Sequence, residues 1–140
     1  MTRSALRLAP SGDAAIVKVP TGDQGLLDIY KALDCRLIDI CYGWLETGAG
    51  RVLVNLVIDD EGRLVDNPDK NLAATFMRGG PIYGTVLVFG EIDEDGEMLS
   101  LDNATLDALE DELIGLKRYE NVADMMDDIH ARLMMAYFND

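Results

Sequence analysis

Residues 85–89, Thr-Val-Leu-Val-Phe, are the stretch of sequence that decides the fold. A short run of apolar and β-branched residues between turn signals is typical of a strand in the protein core. Gly79-Gly-Pro-Ile-Tyr-Gly precedes the run and Glu91-Ile-Asp-Glu-Asp-Gly follows it, so turns bound it on both sides. We therefore predict a core strand at 85–89.

The residues before this strand read as further strands and two helices. The β-rich segments 36–44 and 52–58 are separated by a glycine-rich turn cluster, which predicts two paired strands. The first predicted strand along the chain is 14–19. Apolar residues at helical spacing predict a helix over 23–34, and a second helix of about two turns is expected at 71–77.

The residues after the core strand change to a helical pattern. Asp102 or Asn103 caps the first predicted helix and Asn121 caps the second. The sequence therefore predicts one α+β domain over residues 1–140, with an α/β core at 1–101 and an acidic helical hairpin at 102–140 packed on it. We expect a mainly antiparallel sheet of four to six strands with helices on one face.

Composition limits the classes of partner. The chain has 140 residues, 49% of them hydrophobic, and a net charge of −14. Such a charge disfavours direct binding to nucleic acid or to an anionic membrane and favours a basic partner. We find no apolar run long enough to span a membrane and no secretion signal, so we expect a cytoplasmic location.

The negative charge is concentrated at the carboxyl end of the chain. Residues 91–140 hold 15 acids and 3 bases, whereas residues 1–90 hold 11 acids and 9 bases. Carboxylates three or four residues apart on a helix lie on one face, which predicts an acidic strip. It serves either as a docking surface for a basic protein or as a solvated face that keeps the protein soluble. The predicted partner-binding residues are Glu110, Asp111, Glu120, Asp124, Asp127 and Asp128.

The glycine-rich loop before the core strand is the second candidate site. Glycine lets a ligand approach the backbone closely, so a small molecule is an alternative to a protein partner. The residues assigned to this alternative are Gly79, Gly80, Tyr83 and Gly84. The other interpretation is that the loop only closes the sheet.

No sequence motif specifies a reaction. His130 is the only histidine, and Cys35 and Cys41 are too far apart along an extended chain to form a disulfide. Residues 91–102 resemble a calcium loop, but Glu91 and Asp102 depart from its first and last ligands, so an acidic turn is favoured. We therefore predict a protein that is not an enzyme, with no catalytic residues, no metal and no cofactor.

A family resemblance covers residues 26–109. It is carried by an apolar strand followed by Asp-Glu-Gly at 60–62, by Asn67-Pro-Asp-Lys-Asn-Leu-Ala-Ala-Thr, and by Ile82-Tyr-Gly-Thr-Val-Leu-Val-Phe-Gly. These features resemble the domain of unknown function 3846, a family of small proteins from phages, plasmids and their bacterial hosts. Some of them lie beside antirestriction genes, and the family supplies no catalytic residues to transfer.

Together these observations predict a phage or mobile-element accessory protein that is not an enzyme. Its acidic surface would occupy a basic, nucleic-acid-binding host protein as a nucleic-acid mimic or defence inhibitor. The alternative is a small-molecule-binding domain that uses the Gly79 to Gly84 loop. Methionines in the last predicted helix would also suit a homodimer seam.

Overall fold

The computed structural model describes residues 2–47, 50–64, 69–116 and 131 of the chain. It confirms the α+β class with five strands and three helices among these residues. The strands are β1 (Thr2–Leu8), β2 (Ala14–Pro20), β3 (Ile38–Thr47), β4 (Gly50–Asp59) and β5 (Val86–Phe89). The helices are α1 (Gly22–Leu33), α2 (Leu72–Arg78) and α3 (Asn103–Leu116), and a short 3-10 turn covers Gly62–Leu64.

The five strands form one antiparallel sheet in the order β2-β1-β5-β4-β3. Two hairpins, β1–β2 and β3–β4, lie on either side of β5, which pairs with β1 and β4. All four residues of β5 are buried, so the predicted core strand is confirmed as the centre of the sheet. The two predicted paired strands, 36–44 and 52–58, correspond to β3 and β4.

Helices lie on both faces of the sheet, so the prediction of helices on one face is wrong. Val86 and Val88 pack with α2 and α3, whereas Leu87 and Phe89 pack with α1 on the other side. Alternate residues of a strand point to opposite faces, so a strand with no polar residue needs cover on both. The uninterrupted apolar pattern of β5 was the signal for this arrangement.

Strand β1 was not predicted, and 14–19, now β2, was expected to be the first strand of the chain. Arg3 and Arg7 interrupt the apolar pattern of β1, so its hydropathy pattern does not indicate a strand. In the structure, Ala5 and Leu8 of β1 are fully buried and every residue of β1 pairs with β2. The predicted helices at 23–34 and 71–77 are confirmed as α1 and α2.

Of the acidic hairpin predicted at the carboxyl end, only the first helix lies among the described residues. Helix α3 begins after Asp102, whose Oδ1 accepts a hydrogen bond from the Thr105 N–H at 2.7 Å. The second predicted helix, capped at Asn121, lies outside the described residues. No helix within the described ranges is long and apolar enough to cross a membrane.

Candidate functional site

A cavity of about 460 Å³ opens between the start of β3, the end of β4 with the turn that follows it, and the end of α2 with the loop that follows it. This volume lies in the range of small-molecule sites in proteins. Its lining residues come from these three segments: Asp39, Ile58, Asp59, Asp60, Gly62, Arg78, Gly80, Pro81, Ile82 and Tyr83. Half of the predicted glycine-loop residues, Gly80 and Tyr83, are therefore brought to one cavity.

The loop after α2 is held in place by backbone hydrogen bonds. Helix α2 ends at Arg78 and is capped by Gly79, whose positive φ of 77° favours glycine and whose N–H donates to the Thr75 C=O at 2.9 Å. The Thr75 hydroxyl then accepts a hydrogen bond from the Ile82 N–H at 3.0 Å. Since the Ile82 side chain is also buried in the core, the cavity wall is fixed at both of its ends.

Asn71 joins the loop to the sheet. Its Oδ1 caps α2 by accepting from the Ala74 N–H at 3.1 Å. Its Nδ2 donates to the C=O groups of Leu8 and Gly84, each at 2.9 Å. A fully buried asparagine that satisfies three backbone groups holds the start of α2, the end of β1 and the end of the loop together.

Gly62 lets the 3-10 turn approach the loop. A Cβ atom at this position would lie 2.9 Å from the carbonyl oxygen of Tyr83, which is too close for backbone that other contacts hold. Tyr83 is held by a β-bridge to Lys70, and the Lys70 Nζ lies 5.7 Å from the centre of its ring. Gly62 therefore sets the distance between the two walls of the cavity.

Charged groups of both signs line the cavity, and the negative ones are more numerous. Asp39, Asp59 and Asp60 supply three carboxylates, and Arg78 supplies one guanidinium. Within the described residues Arg78 forms no ion pair. Asp59 also accepts a hydrogen bond from the Glu61 N–H at 2.9 Å, which holds its carboxylate near the turn. The cavity suits a ligand with a cationic group and an acceptor for the guanidinium.

Neither thiol near the cavity is an activated nucleophile. Burial raises the pKa of Cys41, and Asp39 raises it further, although Arg78 opposes the change. Burial also raises the pKa of Cys35, with a further contribution from Asp59. Both cysteines are free, and a raised pKa keeps the unreactive thiol form at neutral pH.

The acids and the arginine of the cavity were missed by sequence reasoning. Gly79 and Gly84 do not line the cavity, but each has a positive φ that shapes the loop. A signal for Asp39 existed, because the two predicted strands pair in a register in which Asp39 lies opposite Ile58. That register places Asp39 beside the acids that follow β4. Nothing in the sequence pattern relates Arg78 to them.

The predicted acidic surface is described only at its first two residues. Glu110 and Asp111 are exposed on α3, whereas Glu120, Asp124, Asp127 and Asp128 lie outside the described residues. Glu110 lines a second cavity, of about 940 Å³, between the β1–β2 turn and α3. Asp107 of α3 and Asp13 of the β1–β2 turn line the same cavity. The described part of the acidic surface therefore includes Asp13, which does not belong to α3.

The loop that resembles a calcium site forms a closed acidic turn. The Asp93 carboxylate accepts hydrogen bonds from the N–H groups of Asp95 and Glu97, each at 2.9 Å. An isolated β-bridge between Ile92 and Met98 closes the turn. In the described part of the chain, no group of three or more His, Cys, Asp and Glu residues is placed to hold a metal ion.

Comparison with known proteins identifies a family. A family model described as Domain of unknown function (DUF3846) matches residues 1–114. The match extends the predicted resemblance at 26–109 to include β1, β2 and most of α3. Neither the curated proteins nor the solved structures contain a match to this chain.

Proposed function

Since this chain belongs to the DUF3846 family, a domain of unknown function, we propose that it is a binding module without catalytic activity, whose cavity holds a small polar ligand. The ligand carries an amino or guanidino group together with a hydrogen-bond acceptor. A small ligand at the Gly79 to Gly84 loop is the alternative that the glycine-rich sequence predicts, and the cavity beside this loop supports it. The supporting observation is that three carboxylates and one guanidinium line one cavity and that, among the described residues, Arg78 forms no ion pair.

The charged residues that line the cavity determine which charges a ligand should carry. Asp39 and Asp60 are exposed and Asp59 is half-buried, so the lining carries three negative charges against the one positive charge of Arg78 and favours a cationic group. Arg78 repels a simple cation but attracts a carboxylate or hydroxyl on the same molecule. A molecule with both groups, such as an amino acid, is therefore preferred to a diamine of similar size.

The experiment measures thermal unfolding with free amino acids and with diamines as probes. A ligand at about 100 times its dissociation constant stabilises a protein by about 2.7 kcal/mol, so binding raises the melting temperature measurably. The double variant Asp59→Asn, Asp60→Asn should lose this shift. The matched control is Glu94→Gln, Asp95→Asn, which removes the same charge from the exposed turn at 91–97. Equal shifts in the two variants would contradict the proposal.

The second candidate function is the binding of a basic host protein by the acidic surface. It is favoured by the exposure of Glu110 and Asp111 and by the addition of Asp13 from a separate hairpin. In the setting that the resemblance implies, the partner is a nucleic-acid-binding protein whose phosphate-reading side chains accept carboxylates instead. The same charge disfavours direct contact between this chain and nucleic acid.

This second candidate predicts association that is sensitive to salt. Capture from host lysate at low and moderate salt is compared for the wild type and for the triple variant Asp124→Lys, Asp127→Lys, Asp128→Lys. A second variant, Glu110→Lys, Asp111→Lys, tests the described residues, and Glu94→Lys, Asp95→Lys is the control that changes the net charge by the same amount as this second variant. If the first two variants lose a basic partner and the control keeps it, the result supports the acidic surface as the docking site. Equal capture by all four proteins excludes it.

A further inference from the structure

The second cavity, of about 940 Å³, is a groove between the β1–β2 turn, the first residues of β2 and one face of α3, and we call it the β2 groove. Leu6, Ile16 and Leu106 give its lining an apolar part. Leu6 and Ile16 lie directly opposite each other in the β1–β2 register. Leu6 is buried in the core, whereas Ile16 is 58% exposed. The groove therefore leaves an apolar side chain of β2 open to a partner.

The charged residues of the β2 groove are all acidic. Asn103, Leu106, Asp107 and Glu110 follow at three- and four-residue spacing, so one face of α3 forms one wall. Asp13 adds a third carboxylate from the β1–β2 turn, and the lining holds no lysine, arginine or histidine. Within the described residues, none of these three carboxylates forms an ion pair. The groove therefore suits a segment that brings both apolar and cationic side chains.

The β2 groove reaches the backbone of an edge strand. Strand β2 is an edge of the described sheet. Successive side chains of a strand point to opposite faces, yet the three consecutive residues Ala14, Ala15 and Ile16 all line the groove. The groove therefore borders the outer edge of β2 and not only one of its faces.

A hydrogen bond of the β1–β2 turn shows which backbone groups of β2 point outward. The Ala9 N–H donates to the Asp13 C=O at 2.9 Å, so the backbone of Asp13 faces β1. Backbone groups alternate in direction along an antiparallel strand, so those of Ala15 also face β1. The N–H and C=O groups of Ala14 and Ile16 face outward, beside the groove, where a further strand can pair with them.

The residues that protect this edge lie at the other end of β2. Lysine and proline commonly prevent edge strands from pairing with other chains, and Lys18 and Pro20 occupy the second half of β2. The Lys18 Nζ donates to the Ser4 hydroxyl at 2.6 Å, which holds its charge at this end. The half of β2 that borders the groove carries neither residue type, so it is the half that can accept a strand.

We propose that an extended basic segment of the partner protein adds to the edge of β2 and places its side chains in the β2 groove. The inference rests on the second candidate function, the binding of a basic protein, and names the element that docks. Alternate side chains of the added segment point to the face of α3. One of them is apolar and lies opposite Ile16. The next is lysine or arginine and lies opposite Ala14, because a cation opposite Lys18 is repelled.

This mode of binding divides affinity and specificity between two kinds of contact. Main-chain hydrogen bonds to the edge strand supply affinity, and pockets for alternate side chains supply specificity. In the β2 groove, Ile16 and Leu106 select an apolar side chain. The carboxylates of Asp13, Asp107 and Glu110 select the cationic one.

The probe for the test is a labelled peptide, Arg-Thr-Val-Thr repeated twice, whose arginine and valine side chains share one face of a strand. Fluorescence anisotropy measures its affinity for the full chain at low and moderate salt. We expect binding that weakens as salt is added, because salt screens exposed charges. The control peptide has glutamate in place of arginine and should not bind. No binding of the arginine peptide at low salt, or equal binding of both peptides, would overturn the proposal.

Two neighbouring acids of α3 provide matched variants of the protein. Glu110 and Asp111 are both exposed, but only Glu110 lines the groove. Glu110→Lys should raise the dissociation constant of the peptide about fivefold, and Asp111→Lys should raise it less. Ile16→Lys should also weaken binding, and circular dichroism establishes that each variant is folded. Equal effects of Glu110→Lys and Asp111→Lys would contradict docking in the groove.

Strand addition is tested on the peptide, which leaves the protein unchanged. Methyl groups on alternate amide nitrogens remove the donors from one side of an extended peptide. One set of methyl groups should abolish binding, and the other set should be tolerated. If both methylated peptides bind as well as the parent peptide, the segment does not pair with β2 and the proposal is wrong.

Failure of this inference is distinguishable from failure of the second candidate function. If lysate capture of a basic partner depends on Glu110 and Asp111 while the peptide does not bind, the acidic surface stands and the docking mode is wrong. Sedimentation equilibrium identifies a second copy of this chain as a rival occupant of the edge. A dimer that Ile16→Lys dissociates would overturn the proposal in favour of that occupant.

Discussion

The guanidinium of Arg3 lies over the ring of Phe89, with 5.2 Å between the Arg3 Cζ and the ring centre. The same side chain donates to the C=O of Pro20 at 2.8 Å and to that of Met98 at 3.1 Å. It also pairs with Glu97 at 3.1 Å. The buried guanidinium of Arg3 thus links the end of β2, just before α1, to the acidic turn after β5. Both segments are held on the face of the sheet to which Phe89 points.

Replacing Arg3 by methionine should therefore lower the free energy of unfolding. The change leaves the Pro20 and Met98 carbonyls without their donor, and each buried polar group without a partner costs about 1–3 kcal/mol. We expect a loss of about 2–4 kcal/mol, measured by urea denaturation. Arg7→Met is the control, because Arg7 is exposed on the same strand. Equal effects of the two substitutions would contradict the role of the buried guanidinium.

Asn71→Ala should destabilise the protein and loosen the cavity wall. The variant loses the cap of α2 and the donor to two carbonyls, which together predict a loss of about 2–4 kcal/mol. Asn71→Asp keeps an acceptor for the cap but loses both N–H donors and buries a charge. Thermal unfolding of both variants distinguishes these contributions. If Asn71→Asp were as stable as the wild type, the links to Leu8 and Gly84 would have no energetic importance.

Gly62→Ala should disturb the cavity more than Gly80→Ala does. A Cβ at Gly62 meets the Tyr83 backbone at 2.9 Å, whereas at Gly80 nothing lies within 4 Å. Because the Tyr83 backbone is held by its β-bridge, we expect Gly62→Ala to cost about 1–3 kcal/mol and Gly80→Ala to be nearly neutral. Chemical denaturation compares the stabilities. The prediction fails if the two variants unfold at the same denaturant concentration.

The cap of α3 should depend on pH in the acid range. The hydrogen bond from the Thr105 N–H, with a smaller contribution from the Thr105 side chain, lowers the pKa of Asp102 below its ordinary value of 3.8. A lowered pKa in the folded state means that the ionised cap stabilises above 3.8 and that this stabilisation is lost as pH falls through the folded-state pKa. The difference in melting temperature between the wild type and Asp102→Asn should therefore shrink below that pH. A constant difference would contradict the ionic cap.

The sequence predicted the elements that local patterns specify. Strand β5 is apolar and bounded by turns, and α2 begins at Asn71, a residue type that caps helices. Strand β1 was missed because Arg3 is buried through partners distant in sequence, which no local pattern reveals. Arg78 of the cavity was missed for the same reason, since only the folded chain brings the end of α2 to the cavity that Asp39 lines.

The position of β5 in the sheet has a consequence for the synthesis of the protein. The central strand is the last of the described strands along the chain, and its two neighbours belong to hairpins that are translated earlier. While the ribosome is adding residues before Val86, both hairpins present an edge that only β5 will later occupy. A nascent chain at this stage is exposed to wrong pairing and aggregation. The β1–β2 and β3–β4 hairpins can therefore join into one sheet only after β5 has left the ribosome.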